Sequence, residues 1–385
     1  MNLDKLKWRL NEIYQRRWLA LPLSTRTTIA YSSFALGMLM LAGAVYFMTR
    51  SGIGKTAVEQ NDVVLYSSAD AAILEPMVKE FEGRTGIMVQ LVGDTEATKT
   101  TGLVQRIISE KERPRADVWW SSEALGTVAL ANADALEPFA SSAERDLKEG
   151  WPATLRAQDR TWYGFAQRAR VIAYNTTIIP ANAAPKTLRE LTDPKYGNKV
   201  GIARPQFGTT RSHIAALIAL HGVDPVREFL TKLKDNNVRL YDGNSAIVQA
   251  LSTGEIHIGL TDTDDVWAGQ ANNWPVALNY EAADKPNAKV NGLRSLGAIV
   301  IPNTVARIKG GPNPTNAQRL IDFLLSADAE RLLAQSASKN VPVRDTLAAE
   351  FKQLTIPDPA PVTPAQVSDA MKDADALIKE LFPLN

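Results

Sequence analysis

From residue 62 onward, short β-branched apolar runs alternate with stretches of helical period, and this alternation narrows the fold more than any other feature. Asp62–Ser67 (DVVLYS) reads as a buried strand. Asp70–Gly86 carries Ile73, Leu74, Met77, Val78 and Phe81 at helical spacing, with Asp70 as N-cap and Gly83 and Gly86 as stops. Ile87–Val92 is a second strand, Leu103, Val104, Ile107 and Ile108 mark a second helix, and Ala116–Trp120 is a third strand. The pattern resumes with separate strands at Tyr163–Phe165 and Arg170–Tyr174, then at Val200–Ala203, Arg239–Tyr241, Ile256–Thr261 and Leu296–Ile301. A helix follows the loop PQFGTT and runs through Leu220; another covers Ser245–Ser252. The tail is helical, with Met371, Ala374, Leu377, Ile378 and Leu381 on one face. Strands alternating with helices predict an α/β chain with an open, mostly parallel sheet. Its 385 residues suffice for about two domains.

The N-terminus follows a different rule. Ile29 to Met48 is a run without a charged residue, long enough at 1.5 Å per residue to span about 30 Å of hydrocarbon. Lys5, Lys7, Arg9, Arg16, Arg17 and Arg26 precede it, against only Asp4 and Glu12. That asymmetry places residues 1–28 in the cytoplasm, 29–48 as a transmembrane anchor, 49–61 as a linker and the rest outside. The run exceeds a signal-peptide core and no A-x-A site follows it, so an uncleaved single-pass anchor in the inner (cytoplasmic) membrane is expected, with the main domain periplasmic. A net charge of +1 argues against a nucleic-acid surface. The absence of cysteine removes disulfides, thiolate metal sites and a cysteine nucleophile.

Several polar clusters could carry chemistry. In Phe207–Arg211 (FGTTR), Gly208, Thr209 and Thr210 open a helix, where free N–H groups and the dipole suit an anion; an ordinary cap is the plainer reading. Asp242–Ser245 (DGNS), with Asn244, is a second such start. Asp262, Asp264 and Asp265 (TDTDD) follow a strand, where open α/β sheets place ligands or where Asp simply caps a helix. The same residues fit D-x-D-x-V, a phosphohydrolase pattern with Asp262 as nucleophile, but no later Asp–Asp pair completes it. Ser67 and Ser68 after the first strand, and Ser122 and Glu123 after the third, are further candidate contacts, though the serines read most simply as turn residues. Of Arg168 and Arg170, one is expected to reach a cleft and hold an anion, and the other to lie on the surface. His213, His221 and His257 lack zinc spacing and read as structural.

Taken in order, VVLYSSAD, FEGRTGIMVQL, RADVWWSSE, ALEPF, QRARVIAYNT, LTDPKYGNKVGIARP with FGTT, DGNSAIVQALSTGEIHIGLTDTDD and LGAIVIP resemble the ferric-ion-binding branch of type II, two-lobed periplasmic solute-binding proteins, over residues 62–345. The resemblance implies lobe one at 62–167 plus 295–345, lobe two at 168–294, and residues 346–385 as outer C-terminal helices. It implies an ABC permease and ATPase as partners and a small-molecule or metal cargo, such as Fe³⁺ with a phosphate or carbonate anion. By resemblance, Gly208, Thr209, Thr210 and Asn244 fall at the family's anion site and Arg168 at a basic position near the hinge. The metal ligands match less well. Asp264-Asp265 stand where ferric-binding members place two tyrosines, Asp70 stands near a lost histidine, and the acidic ligand falls at Ser122 or Glu123. Carboxylates remain hard oxygen donors for a metal, yet relatives with acidic residues there bind organophosphates. The expected function is therefore capture, without catalysis, of ferric iron with its anion or of a small phosphorylated solute. An anchored phosphohydrolase using Asp262 and a sensor for a membrane partner are the alternatives; a cytoplasmic segment of residues 1–28 is too short for an output domain.

Overall fold

The computed structural model describes residues 12, 20–25, 38, 61–94 and 100–384. The chain divides into two units, residues 1–60 and 61–385. The expected anchor at 29–48 falls, apart from Met38, outside the described residues; among the described residues no helix is long and apolar enough to cross a membrane.

In the second unit, strand order follows from the apolar runs. β1 (Asp62–Ser67) pairs in parallel with β2 (Met88–Gly93) and β3 (Val118–Ser121), with α1 (Ala71–Thr85) and α2 (Thr101–Ser109) as crossovers and α3 (Ala124–Asn132) following β3. α1 ends at Gly86, whose φ of 69° is the left-handed stop that glycine supplies freely. β3 pairs antiparallel with β10 (Val300–Ile308), which also holds the short β4 (Leu136–Glu137) and the first half of β5 (Trp162–Asn175). The second half of β5 enters another sheet, pairing antiparallel with β8 (Ile258–Asp262) and β9 (Val276–Tyr280); β6 (Val200–Ala203) lies parallel between β8 and β7 (Arg239–Tyr241). The overall order is β2-β1-β3-β10-β5-β8-β6-β7. One 14-residue strand thus runs through two sheets, each with its own apolar core.

Two expectations are corrected here. The strands foreseen at Tyr163–Phe165 and Arg170–Tyr174 are the single β5, because the polar stretch between them is buried and paired instead of looping out. The strand foreseen at Leu296–Ile301 starts at Val300 and runs to Ile308. Gly297 (φ 103°) turns the chain beforehand, and Pro302, which reads as a terminator, is absorbed by a bulge opposite Ala166 (φ 45°).

The chain after β6 continues with α4 (Gly208–His221), α5 (Val223–Asp235), α6 (Asn244–Thr253) and α7 (Thr263–Ala271) around the second sheet. α8 (Pro314–Leu324) and α9 (Ala327–Gln335) return to the first. After α10 (Asp345–Glu350), the tail breaks into α11 (Pro364–Asp369) and α12 (Met371–Leu381). Ala374, Leu377 and Ile378 of α12 join the core beneath α4 and α5.

Glu281, just past β9, is buried and accepts a hydrogen bond from the Leu188 amide. Burial pushes its carboxyl up to about 7, although the Leu188 N–H, Ser295 and Arg189 oppose the rise. A folded pKa above the unfolded value means that the native state holds the proton more tightly, so stability falls as pH rises from about 4.5 to 7. Glu281→Gln should therefore be stabilising at pH 8 by about 1–3 kcal/mol and close to neutral at pH 4. Denaturant titrations at both values check this; equal shifts would place the cause elsewhere.

Candidate functional site

A cavity of about 80 Å³ opens where the two sheets meet. Strand and helix ends build it. β8 ends at Asp262, and α7 begins at once with Asp264 and Asp265 in its first turn. The starts of α4 and α6 face the same space with Gly208, Thr209, Thr210 and Asn244. The first sheet contributes Asp70 and Ser122, and β5 contributes Arg168.

The two helix starts are not capped by their own side chains. Their N-cap positions are Phe207 and Gly243, and neither makes a side-chain cap. The polar residues instead bond across the cavity: Asn244 Nδ2 donates to Thr209 Oγ1 (2.9 Å) and to Asp262 Oδ2 (3.0 Å). The plainer reading, that these residues are local caps, therefore fails.

Both arginines reach the site, which corrects the expectation that one lies on the surface. Residues two apart on a strand share a face, and Arg170 stands in register with Asp262. Arg170 Nη1 meets Asp262 Oδ1 at 2.7 Å; Arg168 Nε meets Asp262 Oδ2 at 3.2 Å and Asp264 Oδ1 at 3.5 Å. The Arg168 Nη1 also donates to the Ser122 carbonyl, so this one side chain links the residue after β3 to Asp262 and Asp264. Burial would raise the Asp262 carboxyl, but Arg170 and Arg168 outweigh it and hold it below the usual carboxylate range. Arg170 Nε approaches His213 Nδ1 at 3.4 Å, and burial with that cation drives His213 down to about 3, so it is a neutral structural residue. Thr210 Oγ1 and Arg170 Nη2 are buried without a hydrogen-bond partner among the described residues.

Three foreseen residues do not line the cavity. Ser67 Oγ accepts from the Ala69 amide, and Ser68 Oγ meets Ser121 Oγ and accepts from the Ser122 amide, so both serve a turn. Glu123 caps α3, accepting from Leu125 and Gly126, because it falls at the residue before that helix. The sequence reading missed Arg204, which pairs at the exposed cavity rim with Asp242, a residue it had named only as part of the second helix start. Their spacing after β6 and β7, two strands ending on the same side, was the available signal.

Five aspartates and two arginines line the cavity. Asp262, Asp264 and Asp265 each offer an oxygen within 4.8 Å of the others. Asp262 is committed to two guanidiniums, so it is not free to attack a phosphate. The carboxylates of Asp264 and Asp265 suit a cationic group, although Asp264 already stands 3.5 Å from Arg168, and the uncapped helix starts with Thr210 suit an anionic one. No tyrosine lines the cavity among the described residues.

The profile of bacterial extracellular solute-binding proteins matches residues 76–360. Iron uptake protein A1 of Synechocystis is 29% identical over 311 residues, covering 79% of this chain and 84% of that protein. A Salmonella typhimurium periplasmic protein named for 2-aminoethylphosphonate binding is 26% identical over 266 residues, covering 69% of this chain and 72% of the relative. Among solved structures, iron-bound HitA from Pseudomonas aeruginosa superposes with a TM-score of 0.70 at 25% identity, covering 83% of this chain and 99% of that one. The two-sheet architecture is thus the two-lobed α/β fold of periplasmic binding proteins.

Proposed function

Because the chain belongs to the bacterial extracellular solute-binding protein family, and is a binding component of an ABC importer and not an enzyme, we propose that its cargo is a small phosphate- or phosphonate-bearing solute that brings its own positive charge. One observation carries this reading. Five aspartates outnumber three arginines, Arg168 and Arg204 in the wall and Arg170 bound to Asp262, around a cavity onto which two uncapped helix starts open. A free dianion would face net negative charge, and a free cation would leave the helix starts and Thr210 without a partner. A zwitterion satisfies both ends, with its anion at Gly208, Thr209, Thr210 and Asn244 and its cation at Asp264 and Asp265. Asp70 and Ser122 close from the first lobe. A ferric ion with bound phosphate or carbonate is the second reading, favoured by the carboxylate trio within 4.8 Å and supported by the iron-binding relatives. Delivery is to a permease and its ATPase, and we place the chain at the membrane through residues 29–48 on hydropathy and flanking charge.

Thermal shift with 2-aminoethylphosphonate, inorganic phosphate, and Fe³⁺ with phosphate tests the reading, since a ligand of the native state raises the melting temperature by mass action. The aminophosphonate should give the largest rise. A larger rise with Fe³⁺ and phosphate selects the second reading, and no rise with any of them removes both.

A further inference from the structure

A second and larger cavity, of about 560 Å³, shares no lining residue with the first. It lies on the Gln167 face of β5, opposite the face that carries Arg168. Three parts of the chain wall it: Leu155 and Pro302 from the first lobe, Ala216 of α4 from the second, and the proline-rich stretch 359–364 leading into α11. Its volume falls within the roughly 300–1,000 Å³ of small-molecule pockets, and its walls are mainly apolar, as in such pockets.

One end is polar. Glu123, 4% exposed, is the only charged residue of the lining among the described residues, since His213 is neutral. Its carboxylate accepts from the Leu125 and Gly126 amides and, at 3.4 Å, from the Ser212 hydroxyl across the lobe boundary. The two amides and the charges of Arg168 and Arg211 favour its ionised form, but burial outweighs them. A buried carboxylate beside apolar walls is costly unless a cation offsets it. We infer that this cavity is a second ligand site, for a small amphipathic amine: an aryl or alkyl body against Leu155, Ile299, Val362 and Val367, and its ammonium against Glu123 and Ser212. Burying the apolar body supplies the attraction at about 25 cal/mol per Å², and Glu123 fixes its orientation.

The full-length chain in mild detergent, titrated calorimetrically with 4-phenylbutylamine, tests this. Saturable binding is expected, at least tenfold weaker with Glu123→Gln and lost with Val362→Trp, whose indole fills the cavity from a loop. Circular dichroism and the melting temperature of Val362→Trp establish that it folds; if it does not, Pro361→Trp from the same stretch takes its place. No saturable binding by the wild-type chain, or binding undiminished in a folded tryptophan variant, overturns the site. Equal affinity for 4-phenylbutan-1-ol overturns the cationic head. Glu123 and Val362 line the second cavity and not the first, so the variants separate amine held there from amine held at Asp264 and Asp265, and failure here leaves the proposed cargo standing, and the reverse.

Discussion

Replacing Asp262 by Asn should destabilise the fold by about 3–5 kcal/mol, the largest effect expected of any single exchange in the cleft. The carboxylate is 2% exposed and joins two guanidiniums that are themselves 5% and 3% exposed. Asparagine keeps the shape but leaves Arg170 charged, buried and unneutralised. Arg168 suffers less, because Asp264 stands 3.5 Å away. The penalty should therefore shrink when Arg170 goes too. Arg170→Met with Asp262→Leu should lie within about 1–2 kcal/mol of the wild-type chain, since an apolar pair can replace a buried ion pair at little cost. Urea denaturation of the three chains measures this. A double variant as unstable as Asp262→Asn would mean that the charge pair is not the cause.

Removing both outer carboxylates, Asp264→Asn with Asp265→Asn, should cost the amine-bearing ligand about 100- to 1,000-fold in affinity. Each charge-assisted hydrogen bond contributes about 1.5–3 kcal/mol, and 1.4 kcal/mol is tenfold. The comparison that isolates the cause uses ethylphosphonate, which lacks the amine. The wild-type chain should strongly prefer 2-aminoethylphosphonate, and the double variant should bind the two alike. Calorimetry gives both constants, with circular dichroism as the check on folding. A preference unchanged in the variant would sink the zwitterion assignment.

Much of this architecture is legible in the residues. The β-branched runs at 62–67 and 200–203 fall within a residue of their strands, because a run buried on both faces has no other stable outcome. The convergence of Thr209, Asn244 and Asp262 was foreseeable only in part. Each follows a strand of one sheet, and strand ends of an open α/β sheet share a side. β5 was read as two strands because Gln167, Arg168 and Arg170 interrupt its apolar runs, and their burial depends on Asp262, 92 residues beyond Arg170, for the counter-charge. Glu123 was misread for the converse reason. Its role as a cap depends on where α3 begins, and helix boundaries are among the least certain features of a sequence.

The unbroken course of β5 has a mechanical consequence. Arg168 and Arg170 sit on the same strand that bridges the lobes, and Arg170 is zipped to Asp262 by the β5–β8 ladder. Parting the lobes would therefore bend a beam, with the bulge at Ala166 as its weak point, and would leave the Arg170–Asp262 ladder assembled. A solute arriving while the lobes are parted would meet a finished surface, and Asp70 and Ser122, which line the cavity here, would complete it on closure. Association should then be governed by encounter, and residence time by how hard the bent strand recoils.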